Sequence, residues 1–168
     1  MKFVINAGHT KLGKGTGASG YLNESRETRK IAYELMKLLA DTDHEVIPAV
    51  FDKSSNNLQE VVNLSNNVSA DFLISIHLNA GGGQGCEVYT WRGCKEAKAV
   101  KTCDGLARLG FRNRGVKDGS KYYILKNTKP SVKTILIEVC FVDSKQDAEL
   151  YQKLGCYNIA KTIYDAII

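Results

Sequence analysis

The chain has 168 residues, 43% apolar and 24% charged, with a net charge of +5; this is an ordinary globular balance with enough apolar chain for one core, which excludes a disordered or fibrous protein. The cations are scattered except at Arg112-Asn113-Arg114, so no nucleic-acid stripe is expected, although the charge suits approach to an anionic polymer. No segment reaches the ~18–20 apolar residues of a membrane span, and the run from Phe3 to Gly8 is too short for a secretory leader.

Lys2 to Ala7 reads as a short buried strand running into Gly8. Gly13, Gly15, Gly17 and Gly20 then require a loop. From Asn23, a capping residue, the spacing of Ile31, Leu35, Leu38 and Leu39 predicts an amphipathic helix that keeps Arg26, Arg29, Lys30 and Lys37 largely off its apolar face. Glu45 to Phe51 predicts a second strand, and Leu58, Val61, Val62 and Ser65 the buried side of a second helix. Asp71 to His77 is a third strand closing in Gly81-Gly82-Gly83, Gly85 to Trp91 a fourth, and Ala97 to Leu109 a third helix. Arg112, Arg114 and Lys117 read as a solvated loop that could also meet carboxylates of a substrate. Tyr122 to Lys126 and Thr134 to Phe141 read as the last strands, Asp147 to Leu154 and Asn158 to Ile168 as the last helices.

Strands alternating with helices predict one α/β domain over 1–168, a three-layer α/β/α arrangement around a largely parallel sheet of about six strands. With only Pro48 and Pro130 and no Ser/Gly-rich tract, no linker or separate wall-binding domain is expected within the chain. Cys86, Cys94, Cys103, Cys140 and Cys156 form no C-x-x-C pair, and the odd count suits reduced thiols used for packing.

In such sheets ligands collect at the carboxyl ends of strands. His9 falls just past the first strand, His77 ends the third, and Glu138 lies near the end of the last. Glu138 interrupts Ile135-Leu136-Ile137-Glu138-Val139-Cys140-Phe141, a run apolar on both faces that predicts a covered central strand. A carboxylate there needs an ion pair, hydrogen bonds, a metal or a water-facing strand end. His77 and His9, taken singly, fit hydrogen-bonded structural histidines as well as ligands. Glu24 fits a first-turn helix carboxylate favoured by the macrodipole, or a third ligand beside the two histidines. His44 reads as solvated. Asn79 is a turn residue or a substrate contact, and Glu87 faces either the cleft or solvent.

Six segments carry a resemblance: Asn6-Ala7-Gly8-His9-Thr10, Gly20-Tyr21-Leu22-Asn23-Glu24, the stretch from Ala70 to Ala80 with Ser75-Ile76-His77-Leu78-Asn79-Ala80, Gly85 to Tyr89, Asn113 to Lys117, and Ile135 to Asp143. Together they resemble the zinc-dependent N-acetylmuramoyl-L-alanine amidases of bacterial autolysins and phage endolysins. The resemblance implies a mixed sheet flanked by helices, one Zn²⁺ held by His9, Glu24 and His77, and Glu138 as the catalytic carboxylate; from their own places in the chain, Asn79, Glu87 and Arg114 are candidate substrate contacts. It also implies peptidoglycan as substrate, cut between N-acetylmuramic acid and L-alanine, in a family whose members often carry a further wall-binding domain; the lack of a leader-like run fits an endolysin-type enzyme made in the host cytoplasm, and a monomer is expected. Asn6 stands where that family often has Asp, and Cys140 where it often has Gly. The rival expectations are a zinc peptidase cutting elsewhere in the stem peptide and an inactive wall-binding module.

Overall fold

A computed structural model describes residues 1–168. Its elements run β1 (Lys2–Ala7), α1 (Glu24–Ala40), β2 (Glu45–Ala49), α2 (Asn57–Asn67), β3 (Phe72–Asn79), β4 (Cys86–Thr90), α3 (Ala97–Arg108), β5 (Asn113–Asp118), α4 (Tyr123–Asn127), β6 (Lys133–Phe141) and α5 (Lys145–Ile167). The strands form one six-stranded sheet in the order β2-β1-β3-β6-β4-β5. All neighbouring pairs are parallel except β4 with β6. The expected mixed, largely parallel sheet is therefore present.

Side chains alternate between the two faces of a strand, and this alternation separates packing from chemistry. Phe3 and Ile5, Ile74 and Ile76, and Ile135 and Ile137 face the main core beneath α1, α3 and α5. Val4 and Leu73 face a smaller core beneath α2 and α4. The second face also receives Asn6, Ser75, His77 and Glu138, which share the parity of Val4, Leu73 and Leu136. Because α4 is a single turn of five residues, that layer ends before it covers the ends of β3, β6 and β4.

Several sequence expectations need correction. Of the run Tyr122 to Lys126, only Tyr122 is extended, as the cap of α4; Tyr123 to Lys126 is helical, and Ile124 and Leu125 are both buried, so the run packs with consecutive residues where a strand would alternate. The strand missing from that count is β5, whose one apolar side chain, Val116, left no alternation to read. Leu58 is 42% exposed although Val61, Val62 and Ser65 are buried as expected. Cys94 is exposed, while Cys86, Cys103 and Cys140 are buried free thiols. His44 is half-buried, its ring against Phe3 and its Nδ1 unpartnered. The expected break between the last two helices falls at Gly155, where φ is +74°.

Arg29 departs furthest from expectation. It is buried, and its guanidinium donates to the carbonyls of Ser25 (2.7 Å), His9 (3.2 Å) and Phe51 (2.8 Å) while pairing with Asp52 at 3.2 Å. The Ser25 carbonyl belongs to α1 itself, whereas those of His9 and Phe51 lie in the loops after β1 and β2, so Arg29 ties α1 to both loops. Arg29→Ala is expected to cost about 2–4 kcal/mol, because buried carbonyls lose their donors, and to lower the urea midpoint accordingly.

Candidate metal centre

The centre starts from a strained residue. His9 follows β1 with φ +66°, in the left-handed region that side-chain-bearing residues seldom adopt. Two contacts from α1 hold the turn: Thr28 Oγ1 donates to the Gly8 carbonyl at 3.1 Å, and Arg29 grips the His9 carbonyl. The turn aims the His9 ring at the start of α1, which Asn23 caps by accepting from the Arg26 amide. Glu24 follows the cap and is buried. Its carboxylate accepts from the Ala18 amide at 2.9 Å and the Leu78 amide at 3.2 Å.

Glu24 Oε1 lies 3.1 Å from His9 Nε2 and 3.1 Å from His77 Nδ1. The remaining hydrogen bonds of the two rings decide where their protons lie. His9 Nδ1 is 3.1 Å from the Gly15 carbonyl, which can only accept, so Nδ1 carries the proton and Nε2 offers a lone pair. Ser75 Oγ donates to Asn6 Oδ1 at 2.7 Å, so at its 3.1 Å contact with His77 Nε2 it accepts. His77 Nδ1 is therefore also a lone pair. In neutral rings two nitrogen lone pairs and a carboxylate oxygen face one another with no hydrogen between them, an arrangement that a bound cation or ring protonation relieves. His9, Glu24 and His77 thus form a possible metal site, their ligand atoms within 4.8 Å of one another.

The electrostatics agree. For His9, burial disfavours the charged ring, but the Glu24 carboxylate and the Gly15 carbonyl outweigh it and raise the pKa. For Glu24, burial alone would raise the carboxyl; hydrogen bonds and charge from His77 and His9 hold it well below the usual range.

Glu138 pairs in register with His77 on one side and with Glu87 on the other. It is 8% exposed, and its Oε2 is buried without a partner. Burial, with the charges of Glu24 and Glu87 adding to it, pushes its carboxyl up to about 8. No buried Arg or Lys meets it, so the ion-pair alternative fails. A cleft of about 550 Å³ opens over these groups, with Leu58, Tyr122 and Tyr123 as its opposite wall. A hollow of about 610 Å³ beside the 19–23 loop and α5 is larger, but its one carboxylate, Glu27, is taken up by Lys30 and Tyr151.

The family described as N-acetylmuramoyl-L-alanine amidase matches residues 3–168. The chain belongs to that family. Among amidase relatives, CwlM of Bacillus licheniformis is 30% identical over 89% of this chain and 60% of its own length. An uncharacterized protein of Clostridium perfringens is 34% identical over 99% of this chain, and the chain spans 51% of that relative's length. The catalytic domain of the CD27L endolysin, described as targeting Clostridia Difficile, superposes with a TM-score of 0.88 at 32% identity, covering 99% of this chain and 96% of that one. The family match and the superposition thus span residues 3–168 and 99% of the chain respectively.

Within this amidase domain Glu87 is buried and fully engaged by its own neighbours, facing neither solvent nor open cleft. Asn79 lines the cleft, and Arg114 sits on β5, outside it. Sequence reading missed Asn6 and Ser75, the relay that fixes the His77 tautomer, and Leu58 and Tyr123 in the cleft wall. The relay had a signal: Asn6 and Ser75 are polar residues at matching positions of adjacent apolar strands.

Proposed function

We propose that this chain hydrolyses the amide between N-acetylmuramic acid and L-alanine in bacterial peptidoglycan, using one zinc ion held by His9, Glu24 and His77. The observation that carries the metal is the convergence of two imidazole lone pairs on the Glu24 carboxylate, beside the unpartnered Glu138 carboxylate. Two histidines and one glutamate leave an open position, the pattern of catalytic rather than structural zinc. Family membership supports the choice of bond. When bound, zinc supplies a Lewis acid that polarises a carbonyl and acidifies a water molecule.

The protein's own groups do the rest. Glu24 and the two rings hold the centre in one geometry, with Gly15 on His9 and Ser75 on His77 keeping the ring protons outward. Glu138 takes a proton from the attacking water as its oxygen bonds to the carbonyl carbon. It returns that proton to the departing nitrogen as the C–N bond breaks. The products are a lactyl carboxylate on the glycan and a free α-amine on alanine.

Digestion of purified peptidoglycan tests this. The expected result is release of stem peptides that begin with alanine, abolished by a chelator and restored by zinc. Peptides cut internally would instead mark a peptidase, and binding to walls without release would mark an inactive module. No helix is long and apolar enough to cross a membrane, in keeping with action on the wall.

A further inference from the structure

The row of residues that crosses the sheet at the site does not end at Glu138. His77 pairs with Glu138 and Glu138 with Glu87, and the Glu87 side chain meets Arg114 on β5, Arg114 Nε donating to Glu87 Oε2 at 3.1 Å. Glu87 is fixed from the other side by Asn79 Nδ2 at 2.6 Å and by the Tyr89 hydroxyl at 3.3 Å. Arg114 also lies over the Phe141 ring, 5.1 Å from its centroid. A buried carboxylate and an aromatic face therefore hold the guanidinium plane, using only Nε. Neither terminal nitrogen has a hydrogen-bond partner within the protein, and the side chain is 33% exposed.

This placement depends on a bulge. Val116 packs against the main core, and in a regular strand Arg114, two residues away, would face the same side. Cys86 pairs with Asn113 but Val88 with Val116, so β5 spends one extra residue there, at Gly115 with φ +80°. The bulge turns Arg114 onto the opposite face, the one that carries Glu138. Bulges beside sites commonly re-aim a side chain in this way. α3 packs on the main-core face of β4 and β5; on the other face the Tyr122 ring, at the start of α4, meets Tyr89, and Lys117, exposed opposite Tyr89, adds a second cation there.

We infer that the stem peptide runs over the face of β4 and β5 that carries Glu87 and Arg114, with Arg114 receiving a carboxylate borne by the second or third residue of that peptide. The inference rests on the amidase reading above. Two strand spacings, about 10 Å, separate Glu87 from His77, and an extended peptide covers that distance in about three residues. The stem peptide is the acidic part of the substrate, and a fixed guanidinium with two free donors matches a carboxylate. The apolar wall of Leu58, Tyr122 and Tyr123 on the other side of the cleft offers no charge, which leaves it to the uncharged glycan. Glu87 is then a positioning residue, acting through Arg114.

The test uses zinc-loaded protein and two pairs of muramyl peptides. One pair differs only in whether the carboxyl of the second residue is free or amidated, the other only in that of the third. Wild type is expected to favour the free acid of one pair by about ten- to hundredfold in kcat/KM, mostly through KM, as for a charge-assisted contact. Arg114→Gln should bring that ratio close to one, and Arg114→Lys should keep part of it. A wild-type ratio near one for both pairs, or a ratio unchanged in Arg114→Gln, overturns the inference while leaving the amidase reading intact. Cleavage of no member of either pair overturns both. The wild-type ratios decide the matter even where Arg114→Gln fails to fold.

Discussion

Glu138→Gln is expected to leave zinc bound and lower the rate of stem-peptide release by about 10²–10⁴-fold, the usual contribution of a positioned general base. The substitution is nearly isosteric and Glu138 stands outside the three-residue ligand cluster, so metal content measured beside activity separates the two losses. Its effect on stability runs the other way. Burial raises the Glu138 carboxyl to about 8, above the range it has in an unfolded chain. In metal-free protein the folded state therefore keeps a proton that the unfolded state gives up. Stability from this group is complete below the unfolded pKa and is lost as pH rises through about 8. Metal-free wild type and Glu138→Gln should melt alike near pH ~5, and the variant should melt higher near pH ~9. A variant that retained full hydrolysis would remove Glu138 from the chemistry; equal melting at both pH values would show that its burial carries no penalty.

The same two energies explain what was legible in the sequence. His77 and Glu138 stood out because a polar residue within an apolar strand is costly unless it has work to do. His9 and Glu24 did not: a histidine after a strand and a glutamate opening a helix are ordinary, and only the fold brings Glu24 Oε1 within 3.1 Å of both rings. Strand-helix alternation was enough for the sheet, since β1, β3 and β6 carry their burial in a continuous apolar pattern. It failed for β5, a half-exposed edge held by pairing to β4 and by a bulge, and for α4, where two adjacent buried residues look the same in a turn and in a strand. Arg29 was misplaced because the carbonyls it serves belong to loops distant in sequence.

The glycines of the 8–17 segment divide into those that only turn the chain and those that make room for the metal centre, and substitution by Ala should separate them. At Gly13 φ is +85° and an added Cβ meets nothing within 4 Å. At Gly17 φ is +77°, and the Cβ would stand 2.6 Å from Glu24 Oε2 and 2.8 Å from the His9 ring. The two positions share the backbone strain of a left-handed residue, about 1 kcal/mol, and differ in the crowding. Gly13→Ala is expected to lose little stability and no activity. Gly17→Ala has to push either the carboxylate or the imidazole off its line, which should cost about 10–100-fold in zinc affinity, as for other groups that orient ligands. Gly8→Ala is more severe, because its Cβ would meet not only the His77 ring at 2.5 Å but also the Ile76 carbonyl at 2.7 Å. That carbonyl accepts from the Gly8 amide at 2.8 Å and belongs to a central strand, so it cannot yield, and overpacking of about 1–3 kcal/mol joins the loss of the site. Zinc titrations and melting curves of the three variants should therefore fall in the order Gly13, Gly17, Gly8. Matching zinc affinities for Gly13→Ala and Gly17→Ala would mean that the loop glycines serve the turn alone and that the cradle around His9 and Glu24 has room to spare.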